Sequence, residues 1–306
     1  MSSWWPIRLS TAPSRSIGKT ESGPAAAGSL CPASRCDGRL QHGGLGDLAS
    51  RLTWPQTGRP LRISIGHVPL SLFIPQEELQ KRALKRYQEF AAESNVSLPV
   101  FLRAKNSVRR GRGEFSYVLD DASLELGASI AEFHGVRHEY ALDSLLRILL
   151  TAVLLPRHGF LLHAASVVRD GRAYIFAGRS GAGKSTVASL SPAGSVLTDE
   201  ISLLRHSDGR WQAFGTPFWG EFRAAGMNRH FPIAGIYFLT QDRHDRFEPL
   251  STKQILRALL PCVLFFSSDR LANEALLCTL LDLIERVPAY RLHFRRSSDF
   301  WRVIAA

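Results

Sequence analysis

The chain has 306 residues, enough for one large domain or two modest ones, and its hydrophobic fraction of 45% is sufficient for a packed core. Its formal net charge of +11 attracts phosphates and acidic peptides in general. The basic residues are scattered, and no helix–turn–helix, RNA-binding aromatic signature or zinc-finger spacing accompanies them, so nucleic acid is not an expected partner.

The first residues contain no apolar core of signal-peptide length, and the longest apolar run, 148–155, is too short to span a bilayer. The four cysteines show neither C-x-x-C nor metal-ligand spacing. Cys262 and Cys278 fall in apolar helical stretches and are expected to be buried free thiols in a reducing compartment. These features predict a cytoplasmic protein with no membrane span, and they leave a homo-oligomer open.

Composition divides the chain into three parts. Residues 1–60 are rich in Gly, Pro, Ser and Ala without a periodic pattern, which predicts a disordered tail. Residues 61–140 are predicted to form a small α+β region packed on the core, beginning with a hairpin that turns near Gly66. Its other predicted elements are a helix at 76–92 and short strands at 100–103, 114–119, 123–126 and 129–134. The basic cluster at 103–112 is either a solvated loop or a docking patch for an acidic partner.

Residues 141–306 are predicted to form the main domain, entered through a helix at 140–155 that Pro156 ends. The predicted strands are 160–168, 172–177, 196–198, 201–204, 211–214, 233–239 and 289–294, and the later helices are 252–260 and 273–287.

The most informative segment has the pattern G-x-x-x-x-G-K-S between a predicted strand and a helical pattern, which is the context of a phosphate-binding loop (P-loop). Glycines let backbone N–H groups point inward at phosphate oxygens, and the helix that follows adds its positive dipole end. Lys184 is expected to reach the outer phosphates, and the Ser185 hydroxyl to ligate magnesium. The predicted ATP-binding residues are Gly178, Arg179, Ser180, Gly181, Ala182, Gly183, Lys184, Ser185 and Thr186.

Two carboxylates, Asp199 and Glu200, end a short apolar strand fourteen positions after Ser185. Phosphoryl transfer requires one acid that holds magnesium and another that accepts the proton of the attacking hydroxyl. The alternative is an acidic pair that only caps a strand–turn junction. Because a hairpin precedes the loop and only a short helix follows it, we predict an α/β (α+β) fold with a mixed, partly antiparallel sheet.

The sequence around the loop resembles the catalytic domain of bacterial HPr kinase/phosphorylase. The resemblance rests on the run Leu161-Leu-His163, on the loop up to Ser185 and on the strand that ends in Asp199 and Glu200. That family shares its nucleotide core with phosphoenolpyruvate carboxykinases, and the resemblance covers roughly residues 158–240. It implies an ATP- and Mg²⁺-dependent kinase-like domain over 141–306. This sequence departs from the family pattern at Glu200, where a second Asp is usual, and at Arg179, where an acidic residue is common.

The resemblance implies a role for each matching residue. Asp199 is the expected general base, and His163 lies beside it and tunes it. Ser185 and Glu200 are expected to hold magnesium, with Glu221 as a second metal carboxylate, and Lys184 completes the catalytic set. Trp219 either covers a ligand or packs against the core.

The leading hypothesis is therefore a kinase that transfers the γ-phosphate of ATP to a hydroxyl, a serine on a protein or peptide. By resemblance alone, a ribosomally made peptide is a plausible acceptor. Two alternatives remain open, a nucleotide-binding regulatory or scaffold protein with little catalysis and a small-molecule kinase.

Overall fold

Two mixed β-sheets and six α-helices form the part of the chain that a computed structural model describes, residues 59–93, 96–103, 115–119, 122–127, 130–192, 194–220 and 226–305. These residues belong to one compact unit, Gln56–Ala306. The predicted tail, residues 1–60, lies almost entirely outside the described residues and stays a prediction. Helices combined with mixed sheets confirm the α/β character expected from the sequence.

The first sheet contains six strands: β1 (Leu61–Ile65), β2 (Val68–Phe73), β3 (Leu98–Arg103), β4 (Phe115–Leu119), β5 (Ala122–Leu126) and β6 (Ala131–His134). Their order is β1-β2-β3-β6-β5-β4, with parallel pairs at β2–β3 and β3–β6 and antiparallel pairs elsewhere. The β1–β2 hairpin turns at Gly66 and His67, whose φ angles of 59° and 60° are those of a primed hairpin turn. The predicted hairpin is thus confirmed.

Two helices accompany this sheet, α1 (Glu77–Tyr87) and α2 (Glu139–Leu154). Helix α1 ends earlier than the predicted residue 92, because Gln88–Phe90 form a 3-10 turn and Ala91 bridges to Ile63 of β1. His138 caps the start of helix α2, because its ring nitrogen Nδ1 accepts a hydrogen bond from the Ala141 N–H at 3.1 Å. It ends before Pro156, as predicted.

The second sheet contains nine strands: β7 (Gly159–Arg169), β8 (Arg172–Ala177), β9 (Val196–Thr198), β10 (Ile201–Ser207), β11 (Arg210–Phe214), β12 (His230–Gln241), β13 (Arg246–Pro249), β14 (Val263–Leu264) and β15 (Ala289–Phe294). The main path is β11-β10-β7-β8-β12-β15-β13, and both β9 and β14 pair with β7. Strand β12 runs parallel to β8 and to β15, so the carboxyl ends of these three strands lie at one edge.

The remaining helices are α3 (Lys184–Ser189), α4 (Thr252–Leu259), α5 (Arg270–Arg286) and α6 (Phe300–Ala305). Helix α5 begins three residues before the predicted start, because the Asp269 carboxylate accepts the Ala272 N–H at 2.9 Å and caps it. Strands β13 and β14 and helix α6 were not predicted. All four residues of β13 are exposed and β14 has only two residues, so neither strand has a periodic pattern.

One hydrophobic cluster joins the two sheets. It includes Leu70 and Phe133 of the first sheet, Leu149 of α2, and Leu161 and Leu203 of the second sheet. The boundary predicted at 140/141 falls at the start of α2, and this division stays a prediction. Cys262 is buried as expected, but Cys278 is exposed, because it lies on the outer face of α5. None of the helices in the described segments combines the length and the apolar character needed to cross a bilayer.

Candidate functional site

The predicted site residues lie on the two sides of strand β7. On one side Ala164 pairs with Ala177, the last residue of β8, which directly precedes Gly178. The segment 178–183, called the glycine loop below, therefore leaves the sheet at the level of Ala164.

The acidic pair lies on the other side of β7. Thr198 pairs with Ser166, and Ile201 pairs with His163. Because both pairs have the same antiparallel register, the turn at 199–200 stands opposite residues 164 and 165. Neighbouring strands are about 4.8 Å apart. The backbone of the acidic turn and the start of the glycine loop are therefore separated by roughly 10 Å, with β7 between them.

The shape of the glycine loop depends on positive φ angles and close packing. Gly181 and Gly183 have φ of 80° and 107°, values that residues with a Cβ rarely adopt. A Cβ at Gly183 would lie 2.5 Å from Cζ of Phe294, which ends β15. Gln241, at the end of β12, donates from Nε2 to the Gly181 carbonyl at 2.9 Å. The loop is thus held by the ends of two parallel strands, β12 next to β8 and β15 beyond β12.

Lys184 begins helix α3 and is almost completely buried, with 7% of its surface exposed. Its Nζ donates to the carbonyl oxygens of Gly178 at 2.9 Å and Arg179 at 3.2 Å. Carbonyls are neutral acceptors, and an ammonium group binds an anionic oxygen more strongly. These two hydrogen bonds hold the lysine ammonium group inside the loop.

Asp199 is held by the loop that follows β11. The Gly220 N–H lies 3.1 Å from Oδ1 and 3.2 Å from Oδ2 of the buried Asp199 carboxylate. A Cβ at Gly220 would lie 3.1 Å from that carboxylate and from Cβ of Glu200. A glycine therefore permits the close approach of this loop to the acidic pair.

Glu200 pairs with Arg147 of α2, whose Nη2 donates to Oε2 at 3.1 Å. Burial raises the pKa of Glu200, and the positive charge of Arg147 opposes that rise. Arg147 also lies 5.1 Å from the ring centre of Phe218, and its Nε is buried without a hydrogen-bond partner among the described residues. The sequence interpretation missed Arg147; the available signal was a single arginine within the apolar run 145–150.

His163 is half-buried on β7, beside both cations of the site. Burial, followed by the positive charges of Lys184 and Arg147, lowers the pKa of His163 to about 4. Its imidazole is therefore neutral at physiological pH. Lys184, which follows the glycine loop, and Arg147, on the acidic side, are therefore both close enough to His163 to lower its pKa.

Trp219 packs on an arginine rather than into the hydrophobic core. Its ring lies 3.8 Å from Cζ of Arg86 on α1. Arg86 forms a buried ion pair with Asp143 of α2, which also accepts the Tyr87 hydroxyl at 2.5 Å. These contacts connect the loop that supports Asp199 to both N-terminal helices.

Some predicted ligands lie outside this geometry. Glu221 and residues 104–112 of the basic cluster are outside the described residues, so their roles stay predictions. Within the described ranges, three potential metal ligands cluster only at Glu125, Glu132 and His134 on the first sheet. There Arg103 donates from Nε to Glu132 at 3.0 Å, which makes this group an ion-pair cluster.

Comparison with known proteins identifies one family. The family model described as "SynChlorMet cassette protein ScmC" matches residues 141–306. No curated protein matches the chain. Among solved structures, the HPr(Ser) kinase/phosphatase from Coxiella burnetii is similar over 40% of this chain and 87% of its own, with 13% identity and a TM-score of 0.22. At that TM-score, no conclusion about this chain follows from the similarity.

Proposed function

This chain belongs to the ScmC family, whose model covers more than half of its length, and we propose that it is an ATP- and Mg²⁺-dependent kinase acting on a hydroxyl. The acceptor hydroxyl is a serine of a protein or peptide. The observation that carries this proposal is the register of β7. It holds a glycine loop followed by a buried lysine on one side and, on the other, the buried Asp199 with the partly buried Glu200, about two strand spacings away.

The glycine loop is the donor half of the proposed site. Lys184 exchanges the carbonyl oxygens of Gly178 and Arg179 for phosphate oxygens, and the N–H groups of the loop turn toward the same phosphates. The sequence pattern of residues 178–185 and the positive φ angles at Gly181 and Gly183 support this role.

The oxygen donors of the site fit magnesium. Mg²⁺ prefers oxygen ligands and usually takes few of them from the protein, keeping waters and substrate phosphates for the rest. Ser185 and Glu200 are the residues that would hold it, with Glu221 as a further predicted carboxylate. When bound, the ion neutralises charge on the phosphates as the phosphoryl group transfers. Glu200 would hold the ion while its Oε2 accepts the hydrogen bond from Arg147.

Asp199 is the acceptor half. The γ-phosphorus–oxygen bond to the β-phosphate breaks, a bond to the acceptor hydroxyl oxygen forms, and Asp199 takes the hydroxyl proton. The Gly220 N–H orients the Asp199 carboxylate for this task. Neutral His163 adds no further positive charge to the site.

The test is phosphate transfer from ATP labelled at the γ-position, with magnesium and the purified full chain. Because the family is described as a cassette protein, products of the same cassette are the first acceptors to try. We expect Asp199→Asn to lower transfer by about 10³-fold while the Kd for ATP stays within about twofold, because a general base acts on the acceptor proton and not on nucleotide binding.

Asp170→Asn is the matched control, since Asp170 is an exposed turn residue whose left-handed backbone conformation asparagine also accepts. Equal transfer by wild type and Asp199→Asn would show that the assigned base is wrong. Tight ATP binding that Lys184→Ala abolishes, with no transfer to any acceptor and only trace hydrolysis, would identify a nucleotide-binding regulatory protein instead.

A further inference from the structure

A cavity adjoins the glycine loop on the side away from Asp199. It is lined by Thr186, Gln241, Asp242, Phe294, Arg295 and Arg296. These residues follow β8, β12 and β15, whose carboxyl ends meet at this edge because the three strands are parallel. Ligands of parallel sheets bind outside the carboxyl ends of the strands. The acidic pair, in contrast, lies beyond β7.

The walls of this cavity are tied to the glycine loop. The Asp242 N–H donates to the Phe294 carbonyl at 2.9 Å, which joins the ends of β12 and β15. Gln241 donates to Gly181, and the Phe294 ring packs on Gly183. A ligand group in the cavity is therefore held in a constant position relative to the loop.

The charges around the cavity are mostly paired. Arg295 binds Asp245 through Nε at 3.0 Å and Asp299 through Nη2 at 2.7 Å. Asp242 accepts from Arg246 at 2.8 Å. Arg296 differs, because it is exposed and no acidic side chain in the described ranges pairs with it. The guanidinium group of Arg296 is therefore the charged group on this wall that is available to contact a ligand.

We propose that this cavity holds the nucleoside of the donor nucleotide, with the Arg296 guanidinium stacked on the base. This inference rests on the proposed function, since it assigns the part of the nucleotide that the glycine loop does not bind. The phosphate chain then extends from the Thr186 side of the loop past Lys184 toward Asp199. A planar guanidinium stacks on aromatic faces, whereas an ammonium group acts as a point charge.

The experiment compares the binding of ATP and of inorganic tripolyphosphate, which has the phosphates but no nucleoside, by isothermal titration calorimetry. We expect wild type to bind ATP more tightly than tripolyphosphate. Arg296→Ala should weaken ATP binding about fivefold and leave tripolyphosphate binding unchanged. Arg296→Lys should behave like Arg296→Ala, because lysine keeps the charge and loses the plane. Arg210→Ala is the matched control, because Arg210 is an exposed arginine on β11 that does not line the cavity.

Equal wild-type affinities for the two ligands would overturn the inference. So would equal weakening of both by Arg296→Ala, or full recovery by Arg296→Lys, since either outcome places Arg296 on the phosphates. A different result would contradict the proposed function itself. In that case wild type binds neither ligand, or Lys184→Ala, which should weaken both, changes neither affinity.

Discussion

On the β8 side of strand β7, the glycine loop combines the backbone geometry of residues adjacent in sequence with packing on Phe294, whereas on the β9 side Asp199 and Glu200 are held by residues far away in the chain. Gly181, Gly183 and Lys184 lie within four residues, and the lysine binds carbonyls of its own loop. Asp199, in contrast, is held by Gly220, and Glu200 by Arg147, fifty-three positions earlier.

The two sides also differ in how they balance charge. The buried Lys184 ammonium group donates to two carbonyl oxygens of its own loop. Glu200 is already neutralised by Arg147, so its affinity for a cation is set by a residue of another element. We therefore expect substitutions on the loop side to act through backbone strain and through overpacking against Phe294, and substitutions on the acidic side to act through loss of long-range partners.

The largest effect on stability is expected on the loop side, for Gly183→Ala. Gly183 has a φ of 107°, and an added Cβ would lie 2.5 Å from the Phe294 ring. We expect a loss of about 3 kcal/mol in the free energy of unfolding, measured by denaturant titration, together with loss of nucleotide binding.

Gly181→Ala is the matched control for this loss. Gly181 also has a positive φ, of 80°, but an added Cβ would have no atom within 4 Å. We expect this variant to lose only about 1 kcal/mol, the cost of the backbone conformation alone. Equal losses for the two glycines would show that packing on Phe294 does not shape the loop.

On the acidic side, Arg147→Met should leave the partly buried Glu200 carboxylate without its counter-charge. Breaking a fully buried ion pair costs about 3–5 kcal/mol; these side chains are 23% and 31% exposed, so we expect about 2 kcal/mol. The Arg147→Met/Glu200→Gln double variant should lose no more than Arg147→Met alone, since the unpaired charge is gone. Additive losses in this double-mutant cycle would mean that the two residues are not coupled.

The smallest effect concerns His163, which is positioned between the two sides. Its pKa in the folded protein is about 4, below the value of roughly 6.5 in an unfolded chain. As the pH falls, the His163 imidazole therefore binds a proton in the unfolded state before it does so in the folded state. The free energy of unfolding decreases as a result. Between about pH 7 and pH 5.5, wild type should lose about 1 kcal/mol more than His163→Asn. Identical pH dependences would show that His163 is not shielded by burial and the two cations.

Much of the fold was predictable where the signal is local. The β1–β2 hairpin, the strand–loop–helix around Gly183 and the end of α2 before Pro156 follow from turn chemistry and periodicity. Strands β13 and β14 were missed because pairing with distant strands, rather than any pattern of their own, makes them strands. The exposure of Cys278 was missed because an apolar helical run does not say which of its faces is covered.

The amino-acid sequence by itself determined the composition of the loop, the identity of the lysine and the order in which loop and carboxylates occur. These depend on φ preferences and on chemistry within a few residues. Only the tertiary structure decided that Arg147 faces Glu200, that Gly220 contacts Asp199, and that Phe294 and Gln241 hold the glycine loop. These contacts are determined by strand register and helix packing, which bring together residues that are far apart in the sequence.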